Sequence, residues 1–429
     1  MAGFGVGRWT VDTGRGGWLR GPGHVTSMAL NICSRSIFAE HLFWTYVHAL
    51  VNVTATTVRK VSAVSDLKSG QVPEKMQAVV CHGPHDYRLE EVAVPQRGPG
   101  EALIRVEAVG ICASDLKCYH GAAKFWGDEN RPAWAETMVI PGHEFVGRVV
   151  ELDDEAAARW GIAVGDRVVS EQIVPCWECR FCKRGQYHMC QPHDLYGFKR
   201  RTPGAMASYM VYPAEALVHK VSADIPPAHA AFAEPLSCAL HAVERAQITF
   251  EDTVVVAGCG PIGLGMIAGA KSKNPMRVIA LDLAPEKLKL AEKCGADLTI
   301  NIAEQNAEQF VKELTDGYGA DVYLEGTGHT SAVPQGLNLL RKLGRYVEYG
   351  VFGSDVTVDW SIISDDKELD VLGAHLGPYC WPAAIKMIES GILPMDEICT
   401  HQLPLTEFQK GLDLVASGKE SVKVSLIPA

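Results

Sequence analysis

The chain has 429 residues, with 40 Lys and Arg against 51 Asp and Glu, for a formal net charge of −11. Its length accommodates two or three domains with cores of their own, and 47% hydrophobic with 21% charged residues is the balance of a globular protein. The acidic surplus argues against nucleic acid or an acidic membrane surface as main partner.

Residues 1–75 read apart from the rest. The first 23 are Gly-rich with scattered Arg and Trp, and the apolar segment Met28–Val53 is interrupted by Arg35, Glu40, His41 and His48. No run of about 18 apolar residues is present to cross a membrane, and the compact apolar stretch of a signal peptide is missing. The segment is read as a leader, either disordered or an over-called translation start with the natural beginning near Met76. A membrane-associating leader is the alternative.

From Met76 to about residue 235, short β-rich runs (Gln77–Cys81, Ala102–Val109, Asp166–Ser170, Ser208–Tyr212) are punctuated by Gly and Pro, as in a compact β-rich domain. Over 236–374 the rhythm alternates. Thr253–Ala257, Arg277–Asp282, Asp321–Glu325 and Gly344–Tyr349 read as strands, and Pro261–Lys271, Pro285–Cys294 and Ser331–Leu340 as helices. Alternation of this kind implies an α/β fold with a doubly wound parallel sheet. Residues 375–429 return to mixed elements, with helices near Pro382–Ser390 and Glu407–Ser417.

The run Val254–Gly263 places G-x-G-x-x-G (Gly258, Gly260, Gly263) directly after an apolar strand and at the start of a helix, with Ile262 inside the turn. Glycines there permit a tight turn, close approach of backbone to a pyrophosphate and close helix–strand packing, and the helix N-terminus offers unpaired N–H groups to the phosphates. Glycines also mark tight turns that bind nothing. Here Asp282 closes the next strand, where an acid grips a ribose 2′-hydroxyl and repels a 2′-phosphate, so NAD is expected rather than NADP. Lys287, one turn into the following helix, is a further candidate contact to the adenosine ribose.

Of the 13 cysteines, Cys176, Cys179, Cys182 and Cys190 follow C-x2-C-x2-C-x7-C. Four thiolates at such intervals can close a tetrahedron around one zinc and leave no open position, so the expected role is structural. Two local disulfides are the alternative, disfavoured in a reducing, cytoplasmic compartment.

Three separate segments each offer a further metal-ligand type: Cys112 in Gly110–Asp115, His143 with adjacent Glu144 in Pro141–Glu144, and Glu234 in Ala233–Leu236. Singly, each has an ordinary explanation as a buried thiol, a packed imidazole or an acid near a helix start. Taken in order, G-I-C-x-S-D, P-G-H-E, the four-cysteine lobe, E-P-L and G-x-G-x-x-G resemble the zinc-containing polyol branch of the medium-chain dehydrogenase/reductase superfamily. The resemblance spans Met76 to Ala429.

The resemblance implies a GroES-like β-rich catalytic domain over 76–235, a Rossmann NAD-binding domain over 236–374, and a return to the catalytic domain over 375–429. It implies two zinc ions per subunit. One is structural, on the four cysteines; the other is catalytic, held by Cys112, His143 and Glu234, with Glu144 binding directly or through water. It makes Ser114 the first proton acceptor and Asp115 the acid that orients the metal-bound imidazole; capping and a helix N-terminal charge are their alternatives.

The expected reaction is reversible NAD-linked oxidation of a small polyol, of four carbons and at a secondary carbon, to the ketose, in a homodimer or homotetramer. Rivals are a xylitol, sorbitol or threonine dehydrogenase, or a non-enzymatic NAD-binding protein. Three departures point to a reshaped pocket. Lys117 stands where many relatives have a relay histidine. Ala374-His375-Leu376-Gly377 replaces an Arg-Tyr pair, making His375 either a polar contact or a packed imidazole. The loop Gly121–Ile140, with Phe125, Trp126 and Trp134, is long.

Overall fold

A computed structural model describes residues 72–429; the expectations for the leader fall on 1–71, outside the described residues. The described chain opens with β1 (Lys75–Gly83) and β2 (Asp86–Ala93), an antiparallel hairpin whose register shifts between Cys81 and Gly83. Then come β3 (Ala102–Gly110), β4 (Glu144–Leu152), β5 (Arg167–Ser170), β6 (Ile173–Val174), β7 (Asp194–Leu195), β8 (Tyr209–Tyr212) and β9 (Val218–Lys220). Their inward residues, among them Ile104, Phe145, Val168, Met210 and Tyr212, pack into one apolar core. Antiparallel strands can bury one such face while the other carries polar groups.

Six parallel strands follow: β10 (Thr253–Ala257), β11 (Arg277–Asp282), β12 (Leu298–Asn301), β13 (Ala320–Glu325), β14 (Leu340–Glu348) and β15 (Asp370–Gly373). Their spatial order, β12-β11-β10-β13-β14-β15, is that of a doubly wound sheet. Every residue of β10 is buried, as a strand covered on both faces by helices requires. The order reverses between β10 and β13, so the crevice at their carboxyl ends is where such sheets take ligands. β12 and β15 are short and lack the apolar run that marks β10, so the sequence pattern alone does not announce them.

The last strands, β16 (His401–Pro404) and β17 (Val424–Ile427), join the first body rather than the second. The mixed sheet runs β16-β17-β3-β4-β5-β9, with β8 also on β3. Between the two sheets lies the helix Ala233–Ala246. It packs on the helices Pro261–Ser272 and Trp381–Glu389 within one buried cluster that includes Leu236, Leu264 and Trp381. A single rigid helix therefore carries Glu234 between the dinucleotide turn and the β-rich body.

Candidate active site

The four-cysteine lobe is built on two short 3-10 turns, Cys182–Arg184 and Tyr187–Met189. One sulfur each from Cys176, Cys179, Cys182 and Cys190 lies within 4.8 Å of all the others. Backbone amides point at these sulfurs: Cys176 N–H at Cys190 Sγ (3.3 Å), Cys179 N–H at Cys176 Sγ (3.3 Å) and Gln191 N–H at Cys179 Sγ (3.4 Å). Backbone N–H groups, those of Cys182 and Gln191 first, lower the Cys179 thiol to about 6, toward the thiolate a metal needs, while burial raises those of Cys182 and Cys190. The lobe is moored by Tyr187, whose hydroxyl donates to buried Glu171 (3.0 Å) and accepts from the amide of Tyr379 (3.0 Å). No disulfide links any described cysteine.

A second group gathers Cys112, His143 and Glu144, whose ligand atoms also lie within 4.8 Å of one another. Cys112 sits at the N-cap of the helix Ala113–Tyr119, and Glu144 begins β4 beside the end of β3. Asp115 organises the pair. Its Oδ2 accepts the Cys112 amide (2.9 Å), and its Oδ1 lies 3.3 Å from His143 Nδ1. Ser114 Oγ lies 3.4 Å from the opposite nitrogen, Nε2. Burial works against a charged His143, yet the Asp115 carboxylate and the Cys112 thiol hold its pKa well above the ordinary value.

Glu234 is buried nearby, and its Oε1 accepts from Gln172 Nε2 (2.6 Å) and Cys238 Sγ (3.4 Å). Glu144 in turn pairs with Lys423, a buried lysine just before β17 that also donates to Ile111 O (3.0 Å). Burial, then the negative charge of Glu144, push the Glu234 carboxyl up to about 7. Two buried carboxyl groups, beside a thiol and an imidazole, are a donor set a dication would neutralise.

At the dinucleotide turn, Gly258 has φ +88°, and a Cβ on Gly263 would stand 1.7 Å from Gly258 O. Only glycine fits either position. A Cβ on Gly260 would meet nothing within 4 Å, so this face of the turn is open for a phosphate to approach. No side chain caps the helix Pro261–Ser272, in which Ile262 and Gly263 complete the first turn. Asp282 Oδ2 accepts from Cys259 N (2.7 Å) and Oδ1 from Ala284 N (2.9 Å). The acid thereby ties the glycine turn to the end of β11, and each oxygen keeps a lone pair for a hydroxyl. Lys287 lies half-buried in the first turn of the helix Pro285–Lys293.

The model of the alcohol dehydrogenase GroES-like domain matches residues 98–223, and that of the zinc-binding dehydrogenases matches residues 261–390. The chain belongs to the zinc-containing medium-chain dehydrogenases. It is 94% identical over 361 residues to the erythritol/L-threitol dehydrogenase of Mycolicibacterium smegmatis, a match covering 84% of this chain and all of that one. It is 36% identical to the L-threonine 3-dehydrogenase of Pyrococcus furiosus, over 82% of this chain and 99% of that one. Among solved structures, a Sinorhizobium meliloti protein assigned to the zinc-binding dehydrogenases and bound to NADP superposes with a TM-score of 0.74 at 28% identity, over 83% of this chain and all of that one.

Family members use zinc and a nicotinamide dinucleotide, and this dehydrogenase presents donor groups suited to each. Two polar residues near the metal-ligating cluster escaped sequence reasoning, Gln172 on Glu234 and Lys423 on Glu144. Neither carries a local signal, because each meets its partner across a long stretch of chain; Lys117, singled out in the sequence, donates its ammonium to Val351 O just beyond β14.

Proposed function

We propose that this dehydrogenase oxidises erythritol or L-threitol reversibly at a secondary carbon, yielding erythrulose, with NAD as hydride acceptor. The observation that carries the reading is the 94% identity with a tetritol dehydrogenase over that protein's whole length. Cys112, His143, Glu144 and Glu234 would hold the catalytic zinc, and Cys176, Cys179, Cys182 and Cys190 the structural one. Zinc supplies a Lewis acid that lowers the pKa of a hydroxyl group, and the nicotinamide takes the hydride at its C4.

The remaining work falls to the protein. Asp115 keeps His143 turned so that Nε2 faces Ser114. Ser114 Oγ would accept the proton that leaves the substrate hydroxyl while passing its own hydroxyl proton on to solvent. Gly258, Gly260, Ile262 and Gly263 seat the pyrophosphate, while Asp282 and Lys287 hold the adenosine ribose. For this division of labour we place the domain limits at 76–235, 236–374 and 375–429.

The partner is a small polyol in a reducing, cytoplasmic setting; no helix among the described residues is long and apolar enough to cross a membrane. A homodimer or homotetramer would form through β15, which lies at the edge of the parallel sheet with Val371 exposed. Light scattering that returned a monomer would remove this assembly.

The deciding experiment measures NADH production from three- to six-carbon polyols and from L-threonine, with wild type and Cys112→Ser. Turnover of tetritols, lost in the variant, is expected. Preference for L-threonine or for a hexitol would replace the substrate, and an active Cys112→Ser would remove the metal assignment.

A further inference from the structure

Two histidines with no part in the chemistry above face each other. His193 follows the four-cysteine lobe and His375 follows β15. Their Nε2 atoms are 3.2 Å apart, and the rings stack with centroids 5.0 Å apart and planes at 24°. A run of aromatic contacts leads from the metal-ligating cluster to the pair: His143 to Phe198 at 5.4 Å, Phe198 to Trp134 at 5.2 Å, and Trp134 to His193 at 5.9 Å. Both imidazoles are only partly covered, so each keeps access to solvent.

The backbone delivers them at a cost. His193 itself has φ 56°, and Leu376, next to His375, has φ 55°. Non-glycine residues hold this left-handed conformation only where their surroundings enforce it, and such positions concentrate at ligand sites. Burial, then His193, hold the His375 pKa down to about 3; burial, then Lys124, lower that of His193. The pair is therefore neutral at ordinary pH; the Nε2–Nε2 contact uses one donor and one acceptor, which leaves one Nδ1 as a donor and the other as an acceptor. A hydroxyl group, itself donor and acceptor, complements that surface.

The positive charge of the exposed Lys124 acts on both rings. A divalent cation is a poorer fit. No third Cys, His, Asp or Glu ligand atom completes a group at the pair among the described residues, and Lys124 and Lys199 set positive charge against that of Asp194 at His193.

We propose that His193 and His375, with Lys124 beside them, form the subsite that holds the substrate hydroxyls remote from the reacting carbon. The proposal rests on the polyol reading above and assigns its specificity to three residues. A site built to hydrogen-bond a hydroxyl discriminates strongly against analogues lacking it, because its polar groups are then left unpaired.

The test compares L-threitol with butane-2,3-diol, which keeps the secondary carbinols and lacks the terminal hydroxyls, in wild type, His375→Leu, His193→Gln and Lys124→Met. Each variant is expected to lose about tenfold in kcat/KM for threitol, mainly through KM, and to stay within about twofold of wild type for butanediol. Equal losses on both substrates would make the residues structural and overturn the subsite. Unchanged threitol kinetics would overturn it as well. Lys124→Met alters an exposed side chain, so it carries the test should a histidine variant fail to fold. A wild type that oxidises no polyol sinks the parent reading and the subsite together; a wild type active on threitol with variants that fail to discriminate sinks the subsite alone.

Discussion

The buried carboxylate of Asp115 contacts His143 and Cys112 at once, through Oδ1 at 3.3 Å from the imidazole Nδ1 and Oδ2 at 2.9 Å from the Cys112 amide. One side chain thus sets the orientation of two candidate ligands and places negative charge behind the imidazole, which strengthens it as a donor. Asp115→Asn keeps the shape and removes the charge. It is expected to weaken zinc at the catalytic site by 10- to 100-fold and to lower kcat in proportion. Competition with a fluorescent chelator measures the first quantity; a variant with wild-type zinc affinity would reduce Asp115 to a helix-capping residue.

The lobe that closes around Cys176, Cys179, Cys182 and Cys190 gathers its four sulfurs into one group, so a metal held there would contribute to stability. Cys182→Ser removes one thiolate from a buried position. The expected result is one zinc fewer per chain and a loss of several kcal/mol, or on the order of 10 °C in Tm. Atomic emission on the purified protein counts the metal. Retention of the full zinc complement by this variant would be incompatible with a four-thiolate site.

How much of this was legible beforehand depends on distance along the chain. The structural lobe and the dinucleotide turn are local: Cys176 to Cys190 and Gly258 to Gly263 declare themselves by spacing, and the structure brings each set together. The catalytic group was visible only through resemblance, because Cys112, His143 and Glu144 meet through the pairing of β3 with β4. Glu234 is grouped with them on the same grounds, and its carboxylate accepts from Gln172 and Cys238. No pattern in the sequence announces a glutamine 62 positions away, or the approach of Lys423 to Glu144 by way of the last strand.

Asp282 does two things at once, and the two separate on mutation. Its oxygens brace the glycine turn through the amides of Cys259 and Ala284, and its charge opposes a 2′-phosphate. Asp282→Ser therefore loosens the turn for both dinucleotides while removing the repulsion for one. The KM for NAD is expected to rise about tenfold or more, that for NADP to change little, and the preference between them to narrow. Equal increases in both KM values would leave Asp282 as a brace without a part in cofactor choice.

His241, on the helix that carries Glu234, gives a prediction about acid. Its pKa is pushed from the ordinary 6.5 down to about 4, first by burial, then by His188 and Arg245, with Glu244 opposing. Between those values the unfolded chain takes up a proton that the folded one refuses. The stability His241 contributes is therefore present above pH 6.5 and lost as pH falls toward 4, by at most about 1 kcal/mol per pH unit once partial solvation is allowed for. Its ring meets His188 of the cysteine lobe edge-on at 5.5 Å, so protonation would set two imidazoles against each other where the lobe joins the helix. His241→Gln removes the titration and keeps a polar side chain. The variant should lose less Tm than wild type on going from pH 7 to pH 5, measured by differential scanning calorimetry at constant ionic strength. A Tm difference between the two proteins that is the same at both pH values would mean that His241 titrates normally in the folded state.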